Sequence, residues 1–332
     1  MHVAMNGLVT DARRRTWPKN PLTLIPAVTV LLLCVLWTAV LYRLHVEKNA
    51  AIREARVSVD ILAQSLATHT LKAIHDMDEI ALLIKFGYES APSQFNLDAY
   101  QAHGLISSGT ALQVTLVGAN GHVFKSTGKL SGDVDLSDRE HVAIHRRRTD
   151  VGLFISRPVM GRVSGQWSVQ GTRRIDRPDG GFGGVVVVSE NPAWLTASFY
   201  NAAALGQHGL VAVLSPDGFP LSRQVGDVSG PMDNRPQPSY VASLRSGNDT
   251  VVDPLDHTQR IVAVRRLEPY GLIVVTGLSL AEALDDYVRM RHVYLAMSIV
   301  ISVMLAGFAT DAKRCNDSPR RIHSPGYPTA AG

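Results

Sequence analysis

Two long apolar runs near the ends of the chain constrain its folding more than any other feature. Residues 22–42 form a run of 21 without a charged side chain, which is long enough to cross the hydrocarbon core of about 30 Å as a helix. Trp17, Trp37 and Tyr42 lie towards its ends, where aromatic side chains favour the membrane interface. A secretory signal peptide is the alternative, but its apolar region usually has only about 7 to 15 residues. The sequence favours a retained transmembrane helix.

The second apolar run covers residues 293–310. Its length is at the lower limit for a membrane span, and a buried helix of a soluble domain is the alternative. Basic side chains flank it on both sides, with Arg289 and Arg291 before it and Lys313 and Arg314 after it. This pattern predicts a second transmembrane helix.

The charges at the two ends of the chain predict its orientation. Basic residues outnumber acidic ones in residues 1–21 and in residues 311–332, and such short basic segments stay on the cytoplasmic side. We therefore expect a two-pass protein of a bacterial inner membrane, with residues 43–292 in the periplasm. That location excludes cellular nucleic acid as a partner. Residues 311–332 are rich in Pro, Arg and Ser, which predicts a disordered cytoplasmic tail.

The region between the spans begins with a predicted long helix, residues 43–90. Apolar or small side chains recur there at intervals of three and four and make one stripe, formed by Val59, Leu62, Leu66, Ala73, Met77, Ile80 and Ile84. A helix facing a core and a signalling stalk continuous with the first span both fit this stripe. Parallel helices that enter a membrane also suit a homodimer, which the stripe alone does not establish.

Short strand-like runs separated by turn signals follow the helix. In residues 105–203 the signals include Asn120-Gly121, typical of a β-hairpin. The pattern restarts in residues 204–282, where Pro216-Asp217-Gly218 marks a turn. The two cysteines, Cys34 and Cys315, cannot build a disulfide framework. We predict an α+β fold with two antiparallel-sheet units in tandem on a long N-terminal helix, flanked by two transmembrane helices.

Three segments in order carry a family resemblance. They are SDREHVAIHRRRTDVGLFISRPVMGRVSGQWSV from Ser137, TRRIDRPDGGFGGVVVVSENPAWLTASFY from Thr172 and DHTQRIVAVRRLEPYGLIVVTGLSLAEAL from Asp256. Together they resemble the double Cache (dCache) sensor region that precedes bacterial diguanylate cyclases and histidine kinases. The resemblance covers about residues 43–310. It implies PAS-like units and an extracytoplasmic ligand sensor, in which the membrane-distal unit, residues 105–203, holds the ligand and residues 204–282 form the proximal unit.

The sequence departs from that family after the second span. Only 22 residues follow it, too few for a cyclase, a kinase or a methylation helix. We expect a sensory input module without its own output domain, produced either by a frameshift or as a short form that signals through a separate protein. A ligand-independent membrane partner and an anchored periplasmic hydrolase are alternatives. No G-x-S-x-G nucleophile motif occurs in the sequence, so we predict no enzyme activity.

The stretch from Ser137 to Trp167 holds six arginines and two histidines. The guanidinium fork matches a carboxylate two bonds at a time, so the predicted ligand is a small organic acid. Ion pairs with neighbouring acidic residues are the alternative role for these arginines. The candidate ligand-binding residues are Arg139, His145, Arg157, Trp167 and Arg173.

The two histidines of this stretch have a spacing that can hold a metal ion on a helix. His141 and His145 are four residues apart and would share one face of a helix. A zinc site needs further ligands, and no cysteine or correctly spaced glutamate lies nearby. We therefore predict neither a metal site nor a cofactor.

Overall fold

The computed structural model describes residues 21–106, 113–130, 132–197, 199, 205–229, 237–245, 250–268 and 270–317. The chain divides into two compact units, one formed by residues 50–285 and the other by the terminal segments 1–49 and 286–332. The helices are α1 (Pro21–Ser90), α2 (Leu97–Ala102), α3 (Glu140–Arg147), α4 (Trp194–Ala197), α5 (Pro238–Arg245), α6 (Leu280–Ala283) and α7 (Asp285–Asp317).

Twelve strands in the described residues form two antiparallel sheets, as predicted. The strands of the first are β1 (Gln113–Gly118), β2 (Val123–Ser126), β3 (Phe154–Ile155), β4 (Val159–Met160), β5 (Trp167–Asp176) and β6 (Phe182–Glu190), and those of the second are β7 (Leu210–Leu214), β8 (Pro220–Val225), β9 (Val228–Ser229), β10 (Thr250–Val252), β11 (Gln259–Leu267) and β12 (Leu272–Ser279). The first sheet has the order β2-β1-β6-β5-β3 with β4 also on β5, and the second the order β10-β11-β12-β7-β8-β9. The α+β fold class is confirmed.

The long helix α1 packs against both sheets of the unit 50–285. Leu66 and its neighbours share one core with Val213 and Val274 of the second sheet, whereas Ile84 and its neighbours share another with the first sheet. Gly171 of β5 allows the close approach of the helix, since a Cβ there would collide with the Met77 side chain. The predicted stripe therefore faces two cores.

Side chains along the central strand β6 alternate between two covered faces. Val186 and Val188 face the α1 core, whereas Val185 and Val187 pack with Val142 of α3. Because successive side chains of a strand point to opposite faces, the parity of a residue in β6 decides which layer it contacts. Residues of β6 in the row of Val185 and Val187 therefore face the α3 side.

The terminal unit contains two helical segments that are long and apolar enough to cross a membrane, as predicted. They lie in α1 and in α7, and Trp37 Nε1 donates to Ser302 Oγ at 3.2 Å between them. Helix α7 continues to Asp317, so the predicted disorder from residue 311 is wrong for residues 311–317. No glycine or proline interrupts that stretch. The remainder of the predicted tail lies outside the described residues.

Candidate functional site

A small cavity lies on the α3 side of the first sheet, beneath the segment of residues 159–164. We call it the distal pocket and this segment its cover. Its volume is about 30 Å³, which is room for about two water molecules. An organic ligand needs more space, so occupancy requires the cover to move outward. The lining residues used below are Gln113, Thr115, Arg139, His141, Gln170 and Ser189.

The floor of the distal pocket is made of neutral polar side chains that are nearly fully buried. Gln113 Nε2 donates to Thr115 Oγ1 at 2.9 Å and to Ser126 Oγ at 2.6 Å. On the neighbouring strands, Ser189 Oγ donates to Gln170 Oε1 at 2.5 Å. These bonds fix the side chains in place, so the floor offers hydrogen-bonding groups with defined directions.

Strand alternation positions this floor. Gln113 and Thr115 are two apart on β1, and Ser189 continues the row of Val185 and Val187 on β6. Gln170 pairs with Ser189 across the ladder. A row of buried polar residues thus replaces the apolar row at one end of the sheet, which opens a polar site between sheet and cover.

Two arginines lie at the rim of the distal pocket. Arg162 forms a fork with Asp138, at 2.6 and 2.7 Å, so an acid already neutralises it. Arg139, which precedes α3 as predicted, donates to the Met160 carbonyl at 3.0 Å. Burial and the nearby Arg162 lower the pKa of Arg139, but an arginine stays charged in proteins. Arg139 is therefore the cation available to an anion in the pocket.

His141 on α3 contributes a neutral imidazole. Its side chain is buried and lines the distal pocket. Burial first, and then Arg139 and His145, lower the pKa of His141 to about 4. In the near-neutral range its ring is uncharged and presents one donor and one acceptor.

The structure places Arg157 away from the distal pocket. Its Nη2 bonds Asp217 Oδ2 at 2.7 Å, and its guanidinium lies 3.6 Å from the centre of the Phe219 ring. It lines a cleft of about 350 Å³ that also includes Ser215 and Tyr270 of the second sheet's turns. Arg157 therefore connects the chain entering the cover to the second sheet.

Trp167 and Arg173 are both odd-numbered residues of β5, whereas Gln170 of the same strand lines the pocket. Arg173 pairs with Asp78 of α1, and Trp167 is partly exposed at the start of the strand. By strand parity both belong to the face opposite the distal pocket. Of the five predicted residues, the structure brings Arg139 alone into the lining of this pocket.

His145 is buried beneath the pocket region rather than within its lining. Its Nε2 lies 2.9 Å from Thr172 Oγ1, and burial lowers its pKa to about 4. Both side chains are almost completely buried, so this hydroxyl–imidazole pair is not accessible to a substrate. Among the described residues, no group of three or more His, Cys, Asp or Glu side chains is arranged to hold a metal ion.

Sequence reasoning did not select Gln113, Thr115, Gln170 or Ser189. The sequence does contain an indication of these residues, because polar and apolar residues alternate in β1 and β5. The structure shows that both faces of these strands are covered. On β1 the order is Gln-Val-Thr-Leu, and on β5 it is Ser-Val-Gln-Gly-Thr. Buried polar rows of this kind indicate a site rather than a solvent face.

Comparison with solved structures identifies the fold. The extracellular domain of rpHK1S-Z16, assigned as a histidine kinase, aligns with a TM-score of 0.59 and 24% identity over 69% of this chain and 96% of that domain. The ligand-binding domain of the Campylobacter jejuni chemoreceptor Tlp3, in complex with L-norvaline, aligns with a TM-score of 0.49 and 14% identity over 70% of this chain and 94% of that domain. No protein-family profile and no curated protein sequence matches the chain. The dCache resemblance is confirmed at the level of the fold.

Proposed function

We propose that this chain is a membrane-anchored sensor that binds a small organic acid in the distal pocket, on the extracytoplasmic side of a bacterial inner membrane. The observation that carries the proposal is a buried polar floor facing Arg139, whose charge no described acid neutralises at contact distance. A charged hydrogen bond to a carboxylate is among the stronger polar contacts in proteins. The fold supports the proposal, because the rpHK1S-Z16 domain is an extracellular domain of a kinase.

Two helices are suited to carry the signal towards the membrane. Helix α1 runs without interruption from the cores of both sheets into the first apolar segment. After β12, helices α6 and α7 lead directly into the second. We propose that displacement of the cover is passed through these helices to a separate signalling protein.

A second copy of the chain is the partner that we propose for the outer face of α1. Val57, Ile61, Leu82 and Phe86 are exposed there despite being apolar, and 57 with 61 and 82 with 86 are each one helical turn apart. Two copies anchored in one membrane would present these faces to each other. Disulfide cross-linking through Ile61→Cys in native membranes tests this, with Arg147→Cys at the exposed end of α3 as the control; equal cross-linking of both would refute the face.

Ligand binding by the full chain in nanodiscs tests the proposed function. We expect calorimetric titration with a set of small organic acids to find at least one ligand, and Arg139→Gln to weaken its binding by about tenfold or more. Arg147→Gln, at the exposed end of the helix that Arg139 precedes, is the matched control. Absence of binding to acids, amines and sugars, together with stable cross-linking to another membrane protein, would favour the ligand-independent partner instead.

Accessibility labelling tests the topology. A cysteine at Lys129 should react with a membrane-impermeant maleimide added to intact spheroplasts, and Cys315 should react only after lysis. The opposite pattern would invert the proposed orientation.

A further inference from the structure

The lining of the distal pocket carries information on the ligand beyond its carboxylate, and this inference rests on the proposed function. Among the described residues that line it, none is an aspartate or a glutamate. Asp138, close by, is occupied by the two-bond fork with Arg162. Arg139 is coupled electrostatically to both Arg162 and Asp138, and these three charges together leave one net positive charge beside the pocket.

A positive pocket disfavours a ligand that carries an ammonium group. An α-amino acid would place its ammonium against neutral amides and hydroxyls, beside Arg139, without an ionic partner. Burial of a charge without a partner costs much more than burial of a neutral hydrogen-bonding group. The site thus selects against amino acids even though their carboxylate would fit Arg139.

The floor offers partners for a neutral group that both donates and accepts. Gln113 Nε2 is used by Thr115 and Ser126, whereas its Oε1 accepts no hydrogen bond from the described residues. The ring of His141 likewise has no hydrogen-bond partner in the described part of the chain and faces the pocket. An alcohol supplies one donor and two acceptor positions, which match an amide oxygen and a neutral imidazole.

We propose that the ligand is a small hydroxycarboxylate without an amine, with its carboxylate on Arg139 and its hydroxyl between Gln113 and His141. His141 acts as the specificity-determining residue: the hydroxyl proton is donated to Gln113 Oε1, and the neutral imidazole N–H donates to the hydroxyl oxygen, whereas an ammonium nitrogen has no lone pair to accept that bond.

Matched pairs of compounds test this proposal. The full chain in nanodiscs is titrated calorimetrically with lactate against alanine, glycerate against serine, and malate against aspartate, so that hydroxyl and ammonium are exchanged on one carbon skeleton. We expect at least one hydroxy acid to bind about tenfold or more tightly than its amino partner. We expect His141→Phe to reduce this preference and Arg139→Gln to weaken both members, with Arg147→Gln unchanged.

The outcomes separate the inference from the proposed function. Equal or tighter binding of the amino acid in the responding pair overturns the hydroxycarboxylate assignment and leaves the sensor intact. The same holds if an acid without a hydroxyl, such as propionate, binds as tightly as lactate. If no member of any pair binds but an amine or a sugar does, both the ligand class and the role of Arg139 fail. If no compound of any class binds, the sensory function itself fails.

Discussion

Replacement of Arg260 by methionine is predicted to lower the free energy of unfolding of the unit 50–285 by about 3 kcal/mol. Arg260 is 1% exposed. Its guanidinium donates to the His208 carbonyl at 2.8 Å, to Asp253 at 3.3 Å and to Asp256 at 2.9 and 2.8 Å. The variant leaves two acidic groups in the turn between β10 and β11 with one arginine, Arg223, as their partner.

The magnitude follows from the balance of charge and packing. Removal of one partner from a buried ion pair costs about 3–5 kcal/mol. Arg223 still contacts both carboxylates, and the methionine keeps the apolar stem that packs beside Gly277, so we expect the lower end of that range. For a unit of this size each kcal/mol lowers Tm by about 2–4 °C, which gives about 6–12 °C.

Thermal unfolding of the full chain in nanodiscs measures this effect. Arg266→Met on the same strand is the matched control, because Arg266 is exposed; it should change the free energy of unfolding by less than about 0.5 kcal/mol. If Arg260→Met and Arg266→Met shift Tm equally, the cluster does not stabilise the fold and the reasoning is refuted.

The pH dependence of the same variant gives an internal check. Burial acts to raise the pKa of Asp256, but hydrogen bonds from Arg260 and from the Thr258 amide outweigh it and hold that pKa well below its usual range. A depressed carboxylate pKa stabilises the fold above the unfolded pKa, and the stabilisation is lost as pH falls through the folded one. The difference in Tm between wild type and Arg260→Met should therefore shrink in acid; a difference that grows would contradict it.

Three further predictions concern titration and coupling. Burial raises the pKa of Glu190 from 4.5 to about 7, so the free energy of unfolding falls as pH rises between these values. Glu190→Gln should therefore stabilise the chain by up to about 3 kcal/mol at pH 7 but not at pH 4. Equal effects at the two pH values in denaturation experiments would contradict this. Burial lowers the pKa of His145 to about 4, so the unfolded state binds one more proton than the folded state between pH 6.5 and 4. His145→Gln should therefore reduce the loss of stability over this range by about 1.4 kcal/mol per pH unit. An unchanged slope of the free energy of unfolding against pH would show that the histidine is not neutral in the fold. Arg157→Ala should raise amide hydrogen exchange in the cover by about two- to fivefold without ligand, because a half-exposed ion pair is worth about 0.5–1 kcal/mol; unchanged exchange would show that Arg157 does not hold the cover.

The sequence predicted the architecture because apolar periodicity decides it. Three kinds of local pattern are present in the fold as predicted. They are the uncharged run 22–42, the stripe from Val59 to Ile84, and the turns at Asn120 and Pro216. Helix α7 extends beyond the predicted end of the second span, because residues 311–317 contain no glycine or proline that would end a helix.

The site was less predictable because strand register and short strands decide it. Arg173 and Gln170 are three apart on β5, and that odd spacing sends them to opposite faces of the sheet. Arg157 follows the two-residue strand β3, where the chain turns towards Asp217, a long-range contact that no local pattern encodes. Arg139 was selected from the sequence because it lies at the start of a predicted helix, and the structure places it in the lining of the distal pocket.

Hydrogen exchange with bound ligand tests the central claim most directly. The full chain in nanodiscs is compared with and without the tightest hydroxy acid, and exchange is followed at amides of the cover, of β1 and of β5. We expect slower exchange in residues 159–164 and around Gln113 and Gln170, and a smaller change in Arg139→Gln at the same ligand concentration. Protection confined to the cleft near Arg157 and Tyr270, with the cover unchanged, would contradict a ligand site in the distal pocket.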